Sequence, residues 1–342
     1  MWVTRVRRLW RGVGRALITG AASVACVAMT TVPAQLAAAS QGRPPRLDTT
    51  GAPGATGAHI CRAWFHDGQT RTALANKLSA DIEAALHGRA GTYAVRMQDP
   101  HLGVGCGLHA GEHFYSASVA KATILAALMR KVQAQHRNLT ANEKSLASRM
   151  ITQSDNAAAT ELWNDTGRRR LQRFLDLAGM SQTVLGPSGY WGLTRITAHD
   201  ETLLLWVLLK PNSVLTKAHR LYELGLMAHV IPSQRFGVPA GAPAGFTVHV
   251  KNGWLPLPSA ADPWYVNSIG GFTAGADKYS IVVLTHGTTA QPSMAYGITT
   301  IENVAVKIHH DLNPELTAAV SRSTPSPSWA VPDEPIPPAV SV

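Results

Sequence analysis

The pattern of apolar and polar positions predicts strands near both ends of the folded part of the chain and helices between them. Apolar residues recur at helical spacing over residues 70–88, and Gly88 is expected to end that helix. Two short strand-like runs follow, TYAVRMQD and LGVGCGLHAG, and a block rich in helix-forming residues extends from Ser118 to about Leu209. Three further strand candidates, FTVHVKNGW, WYVNSIGGFTA and YSIVVLTHG, precede a last helix, YGITTIENVAVKIHHDL.

This order of elements predicts an α+β fold. One antiparallel sheet would be joined from both ends of the sequence, a helix at each end would pack on it, and an all-helical subdomain would be inserted between them. The chain contains no internal repeat, and 45% of its 342 residues are hydrophobic, which is enough for a substantial core.

The first 39 residues have the three zones of an export signal. A basic start, MWVTRVRRLWRGVGR, is followed by the apolar run ALITGAASVACVAMTTV and by small residues that predict cleavage after Ala39. A retained membrane anchor and lipidation at Cys26 are the alternatives. We therefore expect a secreted or cell-envelope protein that meets the membrane only through this signal.

Composition divides the remaining chain into three parts. Residues 40–57 are rich in Gly, Pro, Ser and Thr and are interpreted as a linker, and the proline-laden tail 313–342 as disordered. The folded domain is expected over 58–312. The net charge is +10, but five positive charges come from arginines within residues 1–39, so nucleic acid is not expected as a partner.

Two of the three cysteines, Cys61 and Cys106, remain after the predicted cleavage. In an oxidising compartment two cysteines most often pair, so a disulfide is predicted. A catalytic or metal-binding role is the weaker interpretation, because neither cysteine lies in a recognisable ligand spacing.

Ser118 and Lys121 form the first polar cluster that could carry chemistry. They lie three positions apart at the start of an apolar run, so they share one face of a helix. The free N–H of a serine at a helix start, helped by the helix dipole, can stabilise an oxyanion, and a neighbouring lysine can accept the serine proton. Ser118 could equally be a helix cap.

Two further clusters follow in the chain. Ser154, Asp155 and Asn156 precede a helical run, where a plain N-cap is the simpler interpretation. Lys251 ends an alternating strand and is followed by Asn252-Gly253, a pair that by itself favours a hairpin turn.

The order of the three clusters, Ser-x-x-Lys, Ser-Asp-Asn and Lys-x-Gly, resembles the penicillin-recognising serine hydrolases. This family comprises the class A β-lactamases and the penicillin-binding D,D-peptidases. The resemblance covers about residues 70–311, including the first helix with its two strands and the three closing strands. It implies a β-lactamase/transpeptidase-like fold, an acyl-enzyme mechanism, and no metal or organic cofactor.

The resemblance also implies roles for single residues. Ser118 would be the acylated nucleophile and Lys121 its proton acceptor, and Ser154 would pass a proton to the leaving nitrogen. Asn156 would hydrogen-bond the side-chain amide of the substrate, and Lys251 would attract the substrate carboxylate.

The third cluster would supply the rest of the site. Ser118 and Trp254, the residue after Lys-x-Gly, would give the two oxyanion N–H donors. Asn252 stands where the family has Thr or Ser, and its amide is expected to donate to the substrate carboxylate beside Gly253. A β-lactam or a peptide derived from peptidoglycan is the expected small-molecule substrate, and the protein is expected to be a monomer.

The chain departs from the class A pattern after the second cluster. The interval from Ser118 to Ser154 is short for the family, which predicts a trimmed helical subdomain and a more open cleft. Class A enzymes carry a glutamate on the following loop, which activates the water that hydrolyses the acyl-enzyme. The corresponding segment here, 177–199, contains no Asp or Glu. Slow deacylation is therefore expected, with Tyr190 and His199 as possible substitutes for the missing base.

Two smaller features complete the predictions. Asp200 and Glu201 open the next helix and are interpreted as first-turn acids favoured by its dipole, and His309 and His310 as dipole-favoured residues at the end of the last helix. Trp191, Trp254 and Trp264 could line a groove or belong to the core. Three functions stay open: a β-lactamase-like hydrolase, a D,D-carboxypeptidase or penicillin-binding enzyme, and a non-catalytic binding module on the same fold.

Overall fold

A computed structural model describes residues 60–64, 69–187, 189–256 and 263–323 of the chain. The predicted export signal, the linker and most of the tail lie outside these residues. Within the described part, no helix combines the length and the apolar character needed to cross a membrane.

The structure contains the predicted single antiparallel sheet, built from both ends of the sequence. Its strand order is β1-β3-β2-β8-β7-β6, with β2 and β8 paired at the centre from Thr92↔His286 to Gln98↔Ser280. The strands are β1 (Cys61–Ala63), β2 (Thr92–Asp99), β3 (Val104–Leu108), β6 (Thr247–Leu255), β7 (Tyr265–Ala274) and β8 (Asp277–His286). A separate two-stranded ladder joins β4 (Phe114–Tyr115) to β5 (Arg195–Ile196).

Helices lie at both ends of the described chain and in one block between β4 and β6. The α-helices are α1 (Gln69–Leu86), α2 (Ala120–Ala134), α3 (Ala141–Thr152), α4 (Asn156–Thr166), α5 (Arg168–Ala178), α6 (Ala198–Leu209), α7 (Lys217–Ala228) and α8 (Met294–Leu312). The terminal helices α1 and α8 pack on each other and are joined by an ion pair between Lys77 and Asp311. The predicted α+β fold with an inserted helical subdomain is confirmed.

Alternation along β7 shows that the sheet is covered on both faces. A Cβ added to Gly271 of β7 would touch Leu209 of α6. Val266 lies an odd number of residues earlier in β7, and it contacts Gly297 of α8. Successive side chains of a strand point to opposite faces, so α6 and α8 lie on opposite sides. This explains why successive residues of β7 and β8 are buried almost without interruption rather than in alternation.

Cys61 and Cys106 face each other across β1 and β3 and form the predicted disulfide. The bridge joins residues 45 positions apart. Closing a loop of that length in the unfolded chain stabilises the fold by about 4 kcal/mol in the chain-entropy model.

His309 differs from its sequence interpretation as a dipole-favoured, charged residue. It is 1% exposed, its Nε2 donates to the carbonyl of Val238 at 2.8 Å, and its Nδ1 accepts from the hydroxyl of Tyr279 at 2.8 Å. This arrangement requires the neutral ring, and burial lowers the pKa of His309 to about 4. Tertiary packing against the sheet has overridden the local preference, while the next residue, His310, stays exposed.

We expect His309 to make the fold sensitive to acid. Its pKa is lower folded than the unfolded value of 6.5, so the unfolded chain takes up the proton first as pH falls. Its contribution is complete above pH 6.5 and is lost between 6.5 and about 4, a total of about 3 kcal/mol. Urea unfolding at several pH values measures this. His309→Gln should remove a contribution that rises with pH in that window, so its stability should rise less, or fall more, with pH than that of wild type. His310→Gln should keep the wild-type slope, and equal slopes in all three proteins would contradict the assignment.

Candidate active site

Ser118 lies in a 3₁₀ turn, Ala117–Val119, that leads directly into α2. Ala117 has φ +45, a left-handed backbone conformation that alanine rarely adopts, and Ser116 anchors the turn by donating its N–H to the carbonyl of Thr194 at 2.8 Å. Ser118 itself is only 9% exposed. A strained, well-held turn therefore presents one hydroxyl at the start of a buried helix.

Lys121 places its amine against that hydroxyl. Its Nζ donates to Ser118 Oγ at 2.7 Å, to Ser154 O at 2.6 Å, to Ser154 Oγ at 3.1 Å and to Asn156 Oδ1 at 2.5 Å. The lysine side chain is completely buried. The first two sequence clusters, which are more than thirty residues apart, thus meet at one nitrogen atom.

The loop between α3 and α4 holds the second cluster in place. Ser154 has φ +59, and Asp155 caps α4 by accepting the N–H of Ala158 at 2.8 Å while it also accepts from Arg149 at 2.9 Å. The predicted N-cap is present, but it is supplied by Asp155. Its two flanking residues, Ser154 and Asn156, are free to turn toward Lys121.

Lys251 brings the third cluster to the same place. Its Nζ donates to Ser154 Oγ at 3.0 Å and to the carbonyl of Asn252 at 2.8 Å, and the side chain is fully buried. The hydroxyl of Ser154 therefore lies between the amines of Lys121 and Lys251. All three sequence clusters converge on Ser118.

The hairpin turn favoured by Asn252-Gly253 does not form. β6 continues to Leu255, and these two residues pair with Ser268 and Asn267 of β7. A Cβ on Gly253 would lie 2.6 Å from Ser116 O and 2.7 Å from the backbone nitrogens of Ser118 and Val119. Glycine is needed here because β6 touches the backbone of the turn Ala117–Val119, which we call the nucleophile turn. The predicted oxyanion donors, Ser118 and Trp254, therefore lie on backbone segments in direct contact.

The amide of Asn252, predicted to donate to the substrate carboxylate, donates to two backbone carbonyls. Its Nδ2 donates to the carbonyls of Gln234 and Phe236, both at 2.8 Å, and the side chain is fully buried. Strand alternation is the reason, because Asn252 points to the opposite face of β6 from Lys251 and Gly253. Its amide ties the strand to the segment 234–236, where the rings of Phe236 and Trp254 meet edge to face at 5.5 Å.

The segment 177–199, which contains no Asp or Glu, contributes an indole to the site. Trp191 opens a 3₁₀ turn, Trp191–Leu193, and its ring centroid lies 4.7 Å from Lys121 Nζ. Its Nε1 donates to Thr160 Oγ1 at 3.1 Å, and the residue is 3% exposed. The sequence left undecided whether Trp191 lines a groove or belongs to the core. No feature of the neighbouring residues indicates its contact with Lys121.

Asp200 is a first-turn acid of α6, as predicted, and it is also the anchor of this segment. Its Oδ2 accepts from the N–H groups of Gln182 and Thr183 at 2.8 and 2.7 Å and from Thr183 Oγ1 at 2.8 Å. Its Oδ1 lies 2.9 Å from His199 Nδ1. The fully buried carboxylate of Asp200 therefore holds Gln182 and Thr183 against the end of segment 177–199.

The two residues predicted as substitutes for the missing base lie at different places along this segment. His199 lies beyond the far end of the β4–β5 ladder, where its N–H donates to the carbonyl of Ala110 at 2.8 Å. Tyr190 precedes the Trp191 turn. Glu201 is fully buried, neither oxygen has a hydrogen-bond partner, and burial, together with the charge of Asp200, raises its pKa well above the usual range.

Metal chemistry was not expected from the sequence. In the ranges that the structure describes, no group of three or more His, Cys, Asp or Glu side chains is arranged to hold a metal ion.

Comparison with known proteins agrees with the family resemblance and the fold. The model of the β-lactamase enzyme family matches residues 138–311, just over half of the chain. The match includes the Ser154 and Lys251 clusters and begins after Ser118 and Lys121. No curated protein sequence is significantly similar to the chain.

Solved structures show the same fold at low sequence identity. A class A β-lactamase from Bacteroides cellulosilyticus superposes with a TM-score of 0.60 at 16% identity, over 70% of this chain and 98% of that one. The protein PBP-A gives 0.60 at 17% identity, over 70% and 96%. A β-lactamase from Sphaerobacter thermophilus gives 0.57 at 20% identity, over 68% and 96%.

Proposed function

This chain belongs to the β-lactamase enzyme family, and from that premise we propose that it is an exported serine hydrolase that forms an acyl-enzyme on Ser118. Its substrates are β-lactams or related amides and esters. The observation that carries the proposal is the 2.7 Å hydrogen bond between Lys121 Nζ and Ser118 Oγ, inside a network that also holds Ser154 and Lys251.

Acylation follows from these contacts. Ser118 Oγ attacks the substrate carbonyl carbon while its proton passes to the uncharged amine of Lys121. The N–H groups of Ser118 and Trp254 stabilise the oxyanion. When the C–N bond breaks, the proton moves from Lys121 through the hydroxyl of Ser154, which lies 3.1 Å away, to the leaving nitrogen. The products are an ester on Ser118 and a neutral amine that carries the former serine proton, and Lys121 is uncharged again.

Two further groups select the substrate. Lys251 places a positive charge beside Ser154, which favours a substrate with a carboxylate near the leaving nitrogen. Asn156 accepts an N–H of Lys121 through Oδ1, which keeps its Nδ2 donor for the carbonyl of a substrate amide. Asn252, held by two backbone carbonyls, takes no part in this recognition.

Hydrolysis of the ester is proposed to be slow. A water must lose a proton as it attacks, and segment 177–199 offers no carboxylate to take it. The same feature favours the second candidate, a D,D-carboxypeptidase or penicillin-binding enzyme acting on peptidoglycan stem peptides. A non-catalytic binding module is the third candidate.

Intact-protein mass spectrometry after mixing with a penicillin tests the proposal. We expect one lasting acyl adduct per wild-type chain, none on Ser118→Ala, and an unchanged adduct on the control Ser145→Ala, whose serine is exposed on α3. Rapid turnover without an adduct would contradict slow deacylation. Ligand retention by both wild type and Ser118→Ala, with no adduct on either, would identify a binding module.

Parallel assays separate the two enzyme candidates. A chromogenic cephalosporin reports β-lactam hydrolysis, and a peptide ending in two D-alanines reports carboxypeptidase activity. Steady release of D-alanine with little cephalosporin turnover would favour the peptidase, and the reverse would favour the β-lactamase-like hydrolase.

A further inference from the structure

Three sets of contacts hold Trp191 close to the proposed nucleophile turn. Its Nε1 donates to Thr160, which lies four residues after Asn156 on the same face of α4. The turn that carries it is joined to the nucleophile turn, because Ser116 Oγ donates to the carbonyl of Gly192 at 3.2 Å and Ser116 N to that of Thr194 at 2.8 Å. Its ring lies over Lys121 Nζ.

The position of Trp191 matters because of what hydrolysis of an ester on Ser118 requires. A water oxygen must reach the ester carbonyl carbon and give a proton to an acceptor, for which the uncharged amine of Lys121 lies 2.7 Å from Ser118 Oγ. The bond from carbon to Ser118 Oγ then breaks, and Ser118 Oγ takes the proton from Lys121. An indole accepts no proton at nitrogen, and its single donor is already given to Thr160. A nearly buried ring beside Lys121 therefore excludes water from this side of the site and provides no base.

We propose that Trp191 is a positioning residue that sets the lifetime of the acyl-enzyme, by keeping water away from the Ser118 ester on the side that segment 177–199 covers. The inference rests on the proposed function, because it needs an acyl group on Ser118. The inference gives slow hydrolysis a second cause besides the missing carboxylate. Removing the Trp191 ring should admit water to the ester even though the substitution introduces no base.

The lifetime of a preformed acyl-enzyme tests the inference. Wild type, Trp191→Ala, Trp191→Leu and Trp191→Phe are acylated with a penicillin, freed of excess penicillin, and followed by intact mass. We expect the Ala and Leu variants to lose the adduct at least about 10-fold faster than wild type, and the Phe variant, which keeps a ring, to stay within about 3-fold. Trp206→Ala, a half-buried tryptophan of α6, is the control for loss of an indole elsewhere.

A second readout separates access from general loosening. Hydroxylamine, a small neutral nucleophile that needs no protein base, is added to the same adducts. It should cleave the Ala and Leu adducts faster than the wild-type adduct. The rate is followed on adducts already formed, so a change in the acylation rate does not enter it. Thr160→Val, which leaves the ring but removes its hydrogen bond, should lie between wild type and Trp191→Leu.

The outcomes are distinct. If wild type acylates but the Ala and Leu adducts last as long as its own and resist hydroxylamine equally, the inference about Trp191 is wrong and the proposed function stands. The inference is equally wrong if these variants lose acylation and gain no hydrolysis. If wild-type Ser118 takes no acyl group from penicillin, the proposed function and this inference both fail. Leucine fills most of the apolar space that the Trp191 ring occupies. If Trp191→Ala does not fold, the adduct lifetime of Trp191→Leu therefore decides between these outcomes.

Discussion

Replacing Gly253 with alanine is expected to lower the rate of Ser118 acylation by about 100-fold or more. The added methyl group would lie 2.6 Å from Ser116 O and 2.7 Å from the backbone nitrogens of Ser118 and Val119, distances that real Cβ atoms do not show. Backbone cannot rotate away as a side chain can, so either β6 or the nucleophile turn must move. A shift of about 1 Å in catalytic geometry is enough for a loss of this size.

Gly225 provides the matched control. It lies inside α7, and a Cβ added there meets nothing within 4 Å. Gly225→Ala should keep full acylation and gain up to about 1 kcal/mol in the free energy of unfolding, since glycine is a poor helix former. Acylation is measured by intact mass over time and stability by urea unfolding. Acylation of Gly253→Ala at the wild-type rate would mean that β6 does not position the nucleophile.

Replacing Glu201 with leucine is expected to stabilise the protein by about 1–3 kcal/mol at neutral pH, a large change for one residue. The carboxyl group is fully buried and neither oxygen has a hydrogen-bond partner. Leucine removes the cost of burying these polar atoms. Urea unfolding at pH 7 measures the gain, and no gain, or a loss, would show that the side chain has a favourable role that the contacts do not reveal.

The pH dependence separates charge from polarity at this position. The pKa of Glu201 is raised well above its ordinary value by burial and by Asp200, so the folded state holds a proton that the unfolded chain has lost above about pH 4.5. Stability therefore falls as pH rises, by about 1.4 kcal/mol per pH unit for each such proton. Glu201→Gln should reduce this slope, although not to zero because Glu223 is buried in the same way. The exposed Glu83→Gln should leave it unchanged.

Much of the fold could be predicted because local and long-range preferences agree. The run TYAVRMQD became β2 at its predicted bounds, and the last helix gained only two residues at its start. Asn252-Gly253 shows the opposite case. The pair favours a turn on its own, but the backbone hydrogen bonds of β6 with β7 continue through it, and the closeness of Gly253 to Ser118 requires an extended strand there.

The chemical groups of the candidate site could be predicted, but not all of their partners. The order of the clusters was enough to bring Ser118, Lys121, Ser154 and Lys251 together. Asn252 could have been excluded from the sequence by applying strand alternation from Lys251, which places the two side chains on opposite faces. Trp191 could not have been assigned, because the groups that fix it, Lys121 and Thr160, are brought to it only by the packing of α2 and α4.

The central pairing of β2 with β8 has a consequence for how the protein is made. Residues 92–98 find their partners at 280–286, so the middle of the sheet stays open until translation has nearly reached the last helix. The helical block can begin to form earlier from local contacts, whereas Lys251 gains its strand neighbours only when β7 emerges. Such distant pairings also slow folding. A newly made chain is therefore expected to lack the contacts around Ser118 for most of its synthesis and to complete the proposed active site in one late, cooperative step.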